Sequence, residues 1–213
     1  LLNQLLTDAF PSEIIQVVEG DATVTTDLLS MEWDFVFFTG SSAVGKAIEI
    51  AVAGRHIPLI LELGGKNPCI VDSSGLNEVS ARRIVWGKFL NAGQTCVAPD
   101  SIWVKADCLE PLLELLIEQI EVAFGADPSS SPDYGRIGHP RQLDRLRVFL
   151  QQGRVRKGGQ IDISQSFVEP TLMTDIPAGS PIMEEEIFGP ILPIIPFESL
   201  DKLVDRLRLQ PEP

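Results

Sequence analysis

Residues 34–46, DFVFFTGSSAVGK, decide the fold. The run opens with apolar side chains from Phe35 to Phe38, turns at Gly40, and continues as a helix-forming segment over residues 43–53 with Ser41 and Ser42 as cap candidates. A strand apolar on both faces belongs in a parallel sheet covered by helices rather than in a sheet with one wet face. Strand, glycine turn and helix N-terminus also bring free backbone N–H groups and the positive end of the helix dipole to one point, where a cofactor phosphate can sit. The segment is neither G-x-G-x-x-G nor G-x-x-x-x-G-K-[ST], so alone it reads equally well as an ordinary capped βα turn.

Upstream, residues 1–10 have the spacing of a helix stopped by Pro11, residues 14–18 (IIQVV) read as a short buried strand, and residues 28–33 as a short helix. Downstream, strands are predicted at 59–63 (LILEL), 67–71 (NPCIV) and 101–105 (SIWVK), with helices at about 77–91 and at 109–124. A helix at 142–151, a short strand at 154–156, a strand-like stretch at 167–174 cut by Pro170, a strand at 191–196 and a helix at 200–209 complete the pattern. This alternation predicts an α/β protein.

The chain has 17 Lys plus Arg against 30 Asp plus Glu, a net charge of −13, the wrong sign for a phosphate backbone, so no nucleic acid is expected as partner. Three cysteines form no C-x-x-C pair, which argues against a disulfide scaffold and a zinc site and for a reducing, cytoplasmic compartment. His56 and His139 are not at ligand spacing, and no metal is expected. No apolar run reaches the roughly 18 residues of a membrane span. The chain starts without Met and without a basic leader, which predicts that it begins inside a larger protein.

Two side chains stand out for chemistry. Cys96 lies in NAGQTCVAPD between Thr95 and Val97, with no second Cys or His beside it, and reads as an exposed nucleophile on a bent loop. Glu62 lies inside the apolar run LILEL, where desolvation would disfavour its charged form and raise its pKa toward that of a general base; the plain alternative is an ion pair with Lys66. Cys69 reads as a small core residue and Cys108 as a structural or surface thiol.

With FTGSSAVGK, LELGGKNP, FLNAGQTCVAP and EEEIFGPILP in that order, the chain resembles the NAD(P)-dependent aldehyde dehydrogenase superfamily. The segments WGKFLNAGQTCVAPD and YGRIGHPRQLDRL are most similar to its class 3 and fatty aldehyde branch. The resemblance implies the C-terminal part of a Rossmann-type coenzyme domain in residues 1–63 and most of an α/β catalytic domain in residues 64–213, together an internal piece of a family member. It makes Cys96 the catalytic nucleophile and Glu62 the general base. Gly40, Ser41 and Gly45 fall on the turn and helix that hold the cofactor pyrophosphate, Gly64 and Gly65 on backbone lining the nicotinamide side, Glu186 on the acid that holds the nicotinamide ribose, and Phe188 on the aromatic beside it.

The implied reaction is oxidation of a medium- or long-chain aliphatic or an aromatic aldehyde to its acid with NAD or NADP, through a cysteine thiohemiacetal and thioester. The implied parent is a homodimer; membrane association through a segment beyond this chain is compatible with the branch. Two rivals stay open: a non-catalytic fragment, and a dehydrogenase that passes its thioester to coenzyme A. A carboxylate at position 62 favours hydrolysis over the second.

Overall fold

The computed structural model describes residues 1–209. The chain divides into two compact units, Leu1–Leu63 and Gly64–Pro213.

The first unit runs α1 (Leu2–Ala9), α2 (Ala22–Ser30), β1 (Val36–Gly40), α3 (Ser42–Val52) and β2 (Leu59–Leu63). Helix α2 lies earlier than the expected 28–33 because Asp21 caps it, its carboxylate accepting from the N–H groups of Thr23 (2.9 Å) and Val24 (3.4 Å). The Arg55 guanidinium donates to the carbonyls of Leu29 and Met31 at the helix's far end. Strands β1 and β2 pair in parallel from Val36 opposite Leu59 to Gly40 opposite Leu63. Helix α3 starts where its cap predicts, Ser41 Oγ accepting from the Val44 N–H at 3.4 Å, and buries Gly45, Ile48 and Val52.

Residues 14–18 form no strand. A strand needs a ladder partner, the only ladder described in this unit is β1–β2, and Ile14 is exposed. The doubly apolar strands are likewise covered on one face only within this unit: Val36, Phe38, Leu59 and Leu61 are half-buried, while Phe37 and Ile60 are exposed.

The second unit contains β3 (Pro68–Val71), α4 (Glu78–Phe89), β4 (Ser101–Lys105), α5 (Leu109–Phe124), α6 (Pro140–Phe149), β5 (Arg154–Lys157), β6 (Ile161–Asp162), β7 (Phe167–Val168), β8 (Thr171–Thr174), α7 (Pro181–Glu184), β9 (Ile191–Phe197) and α8 (Leu200–Arg208). Its main sheet has the order β3-β4-β9-β8-β5. The first four strands are mutually parallel, but β5 runs antiparallel to β8, so the sheet is mixed rather than wholly parallel. Residues 158–170 explain this: they hold the small β6–β7 ladder and a single 3-10 turn, Ile163–Gln165, but no α-helical crossover, and without a crossover the chain returns antiparallel.

Strand β4 lies inside the sheet between β3 and β9, with Ser101, Ile102, Trp103 and Val104 all buried. The core gathers Leu112, Leu116 and Ile120 of α5, Leu146 and Phe149 of α6, and Leu172 and Ile191 of the sheet. Each such side chain stabilises the fold by about 1.5–3 kcal/mol on burial. No described helix is long and apolar enough to cross a membrane.

Candidate active site

The Cys96 loop is built by three successive left-handed residues. After α4 the backbone passes through Asn91 (φ 52°), Ala92 (φ 51°) and Gly93 (φ 73°). For Ala92 this conformation costs about 1–2 kcal/mol. Gly93 is obligatory: a Cβ there would stand 2.3 Å from the Gly189 carbonyl oxygen.

Side chains offset this cost. Asn91 Nδ2 donates to the Gln94 carbonyl (3.1 Å), and Gln94 Nε2 donates to the carbonyls of Asn91 (3.0 Å) and Arg136 (3.0 Å). Gln94 Oε1 accepts from the Gly138 N–H at 2.9 Å. On the other side Asn67 Nδ2 donates to the carbonyls of Cys96 (2.7 Å) and Ala98 (3.2 Å), and the Asn67 carbonyl accepts from the Asp100 N–H (2.9 Å). The loop is therefore fixed at both ends while Cys96 itself is exposed.

Beneath it lies a set of charges that sequence reasoning did not single out. Asp100 is buried; its carboxylate takes the Lys66 ammonium on one oxygen and the Ile187 N–H on the other at 2.8 Å. Lys66 also donates to the carbonyls of Ile182 (2.8 Å) and Glu185 (2.9 Å). The predicted alternative, an ion pair between Glu62 and Lys66, is thus replaced by Lys66–Asp100.

Lys88 is only 1% exposed. Burial lowers its pKa from the ordinary 10.5 to about 8, with Lys66 pushing the same way and Asp100 and Glu186 opposing. A clue to Lys88 was present in the sequence. Ala81, Ile84, Val85, Lys88 and Phe89 form one stripe at helical spacing, and all five are buried.

Glu186 lies close to the Gly64 backbone. A Cβ on Gly64 would stand 1.9 Å from Glu186 Oε2, so glycine is required for this approach. Burial raises the Glu186 pKa and the charge of Asp100 adds to the rise; Arg145, the Gly65 N–H and Lys66 oppose it. The segment carrying Glu186 is held by its backbone, with Arg145 Nη1 donating to the Glu186 carbonyl (2.5 Å) and Gln142 Nε2 to the carbonyls of Ile187 (2.9 Å) and Phe188 (2.7 Å). Phe188 has φ 45° and a partly exposed ring. Gly64→Ala is expected to displace the Glu186 carboxylate from the Gly64 backbone, which the structure of the variant would show.

The second unit therefore brings together Gly64, Gly65 and Glu186 and carries Cys96 and Phe188; the first unit carries Gly40, Ser41, Gly45 and Glu62. Glu62 is exposed in its unit, on the strand face it shares with Phe37 and Ile60, so the predicted desolvation by the apolar run is not observed there. Alternation along the strand, which LILEL conceals because both faces are apolar, is the reason. No group of side chains that could hold a metal occurs among the described residues.

Lys88 also makes stability depend on pH. Its folded pKa of about 8 lies below the unfolded 10.5, so between these values the unfolded chain binds the extra proton and stability rises with pH. The penalty, about 3 kcal/mol, is fully present below pH 8 and gone near pH 10.5. Chemical denaturation is expected to show this rise in the wild type and to lose it in Lys88→Met.

The model of the aldehyde dehydrogenase family matches residues 1–207. The chain is 46% identical over 210 residues to 4,4'-diapolycopene-4,4'-dial dehydrogenase of Cytobacillus firmus, covering 99% of this chain and 46% of the relative. It is 42% identical over 216 residues to human aldehyde dehydrogenase family 3 member B1, covering 100% and 46%. A substrate-bound structure of AldH from Staphylococcus aureus superposes with a TM-score of 0.96 at 39% identity, covering 100% of this chain and 47% of that one. The chain thus spans less than half the length of the relatives it matches. Within that span the family model takes in nearly every residue, and the chain belongs to the aldehyde dehydrogenase family.

Proposed function

We propose that the whole protein oxidises an aldehyde to a carboxylic acid with NAD or NADP, and that this chain supplies its nucleophile and its general base. The observation that carries this reading is the exposed Cys96 on a loop fixed by Asn67 and Gln94, in a chain of the aldehyde dehydrogenase family. The Cys96 thiolate adds to the aldehyde carbon, forming a C–S bond and an oxyanion that backbone N–H groups such as that of Cys96 stabilise.

A nicotinamide cofactor supplies the hydride acceptor. The residues present fit such a group: the Gly40–Ser41 turn leads into a capped helix N-terminus suited to a pyrophosphate, and the Gly64 backbone leaves room for a carboxylate that can accept ribose hydroxyls. Gly45, Gly65 and Phe188 complete the set assigned to it. The Cys96 thioester is then resolved by water: Glu62 takes a proton from it, the water oxygen bonds to the acyl carbon, and the Cys96 thiolate leaves.

The substrate class in this reading is an apolar aldehyde, aliphatic of medium or long chain or aromatic. Trp86 and Leu90, four residues apart at the end of α4, and Val97 beside the nucleophile are 67%, 48% and 77% exposed. A relative named for 4,4'-diapolycopene-4,4'-dial points the same way. The three free thiols Cys69, Cys96 and Cys108 accord with a reducing compartment, and the assembly that goes with this reading is a homodimer.

The test is a rapid-mixing experiment on the whole protein with NAD or NADP and a medium-chain aliphatic aldehyde, followed at the absorbance of the reduced nicotinamide. A burst followed by steady turnover is expected. Absence of both, from protein whose Cys96 still takes up iodoacetamide, overturns the reading; a thioester that persists until coenzyme A is added overturns its hydrolytic half.

A further inference from the structure

We propose that Lys66 and Asp100 are positioning residues: their buried ion pair holds the nucleophile loop and the Glu186 segment in one register. This rests on the readings of Cys96 and Glu186 given above.

Three pieces of chain meet on this pair, all within the second unit. Lys66 lies two residues after Gly64, Asp100 lies four residues after Cys96, and the bonds of both converge on residues 182–187. An ammonium has three protons, and Lys66 uses all three: one goes to the Asp100 carboxylate, the others to the carbonyls of Ile182 (2.8 Å) and Glu185 (2.9 Å). The second Asp100 oxygen accepts from the Ile187 N–H at 2.8 Å.

These contacts bracket Glu186. The Glu185 carbonyl belongs to the peptide group before its Cα and the Ile187 N–H to the peptide group after it, so Lys66 holds one side and Asp100 the other. With both peptide groups fixed, the direction in which the Glu186 side chain leaves the backbone is fixed as well. That direction is onto Gly64, where a Cβ would stand 1.9 Å from Glu186 Oε2.

The same pair reaches Cys96 through Asn67. The Asn67 carbonyl accepts from the Asp100 N–H (2.9 Å), and Asn67 Nδ2 donates to the Cys96 carbonyl (2.7 Å). Residues 66–67 and 96–100 are thus tied by main chain and side chain together. From the Cys96 carbonyl to Asn67, along the peptide bond to Lys66, and on to the Glu185 carbonyl, the path contains no long loop.

Stability alone does not account for charges in this place. The Asp100 side chain is 3% exposed and that of Lys66 18%, and well-packed apolar residues serve a buried site at least as well as an ion pair does. What apolar side chains cannot supply is a donor to the Glu185 carbonyl and an acceptor for the Ile187 N–H, each in a set direction. Hydride transfer from a carbon held on Cys96 to a nicotinamide held by Glu186 needs that alignment, since a misplacement of about 1 Å costs about 10²-fold in rate.

The experiment compares the whole wild-type protein with Lys66→Met, the double variant Lys66→Met/Asp100→Asn, and Glu186→Gln, by chemical denaturation, NADH titration and rapid mixing. Lys66→Met leaves the Asp100 carboxylate without its direct cation and should lose stability. The double variant removes one charge of each sign, both of which act on the buried Lys88, and keeps an acceptor for the Ile187 N–H, so it should regain most of that loss. Neither variant has the Lys66 bond to Glu185. Both are therefore expected to bind NADH about fivefold or more weakly and, with cofactor and aldehyde saturating, to give a burst of full amplitude at a rate lowered about tenfold or more. Partial unfolding would instead lower the amplitude and leave the rate. A double variant whose NADH affinity and burst rate return with its stability would make the pair structural only and overturn the proposal, as would a reduced amplitude at the wild-type rate in either variant. If both variants keep wild-type affinity and rate while Glu186→Gln weakens NADH binding, the proposal alone falls. If Glu186→Gln binds NADH as tightly as the wild type, the ribose reading of Glu186 falls and the proposal with it; a wild type without a burst removes the Cys96 reading and the proposal together.

Discussion

Cys96→Ala is expected to abolish aldehyde-dependent reduction of NAD(P) in the whole protein, by roughly 10⁴-fold or more, because the C–S bond that starts the reaction has no other donor. Neither remaining thiol can take over. Cys108 is buried at the start of α5, and Cys69 is half-buried in β3, where burial pushes its thiol pKa up and so away from the reactive thiolate. The fold should be indifferent. The Cys96 side chain is exposed, and the loop is held by its carbonyls and by the side chains of Asn67, Asn91 and Gln94, none of which the substitution removes. Denaturation midpoints should therefore agree within the ±0.5 kcal/mol or so typical of surface positions. Turnover persisting in Cys96→Ala would place the nucleophile elsewhere.

Glu62→Gln should separate the two halves of the reaction. The amide has nearly the shape of the carboxylate but cannot accept a proton from water, so acylation of Cys96 proceeds and hydrolysis stalls. The expected record is a burst of reduced cofactor of normal size followed by steady turnover lowered about 10²–10⁴-fold. Glu62 is exposed near the end of β2 and no described residue pairs with it, so little stability should be lost. If the burst vanishes together with turnover, Glu62 acts before the thioester and the general-base assignment is wrong.

Much of the framework was legible because local signals and tertiary context agree. Residues 59–63, 101–105 and 109–124 have the bounds that the sequence predicts; for 101–105 and 109–124 the apolar run and the amphipathic stripe also match the burial, whereas 59–63 is exposed at Ile60 and Glu62. The misreadings have definite causes. Residues 14–18 have strand composition but no described ladder partner, and composition cannot supply one. The antiparallel β5 follows from the missing crossover helix, a property of connectivity that periodicity does not report. Asp21 as an N-cap was passed over, and α2 was placed late as a result.

At the candidate site, the four motifs point to Cys96, Glu62 and Glu186, whereas no motif points to the residues that hold the loop and its charges in place. Lys88 was read past because a lysine on a helix is usually solvated, although its place on the 81-84-85-88-89 stripe argued otherwise. Asp100 carries no local signal, because its partners Lys66 and Ile187 come from distant parts of the sequence.

Those distances also say something about the order in which the protein is made. Asn67 precedes Cys96 by 29 residues, but the partners of Gln94 follow it by 42 and 44, and Ile187 follows Asp100 by 87. At a synthesis rate of about 5–20 residues per second, Asp100 waits roughly 4–17 s on the ribosome for the N–H that completes its carboxylate. The Cys96 thiol is thus synthesised after Asn67 but well before Arg136, Gly138 and Ile187, which complete the fixing of its loop and of Asp100. A nascent chain that stalls before Ile187 would present a free cysteine on an unsecured turn, open to whatever electrophile or oxidant the cell holds.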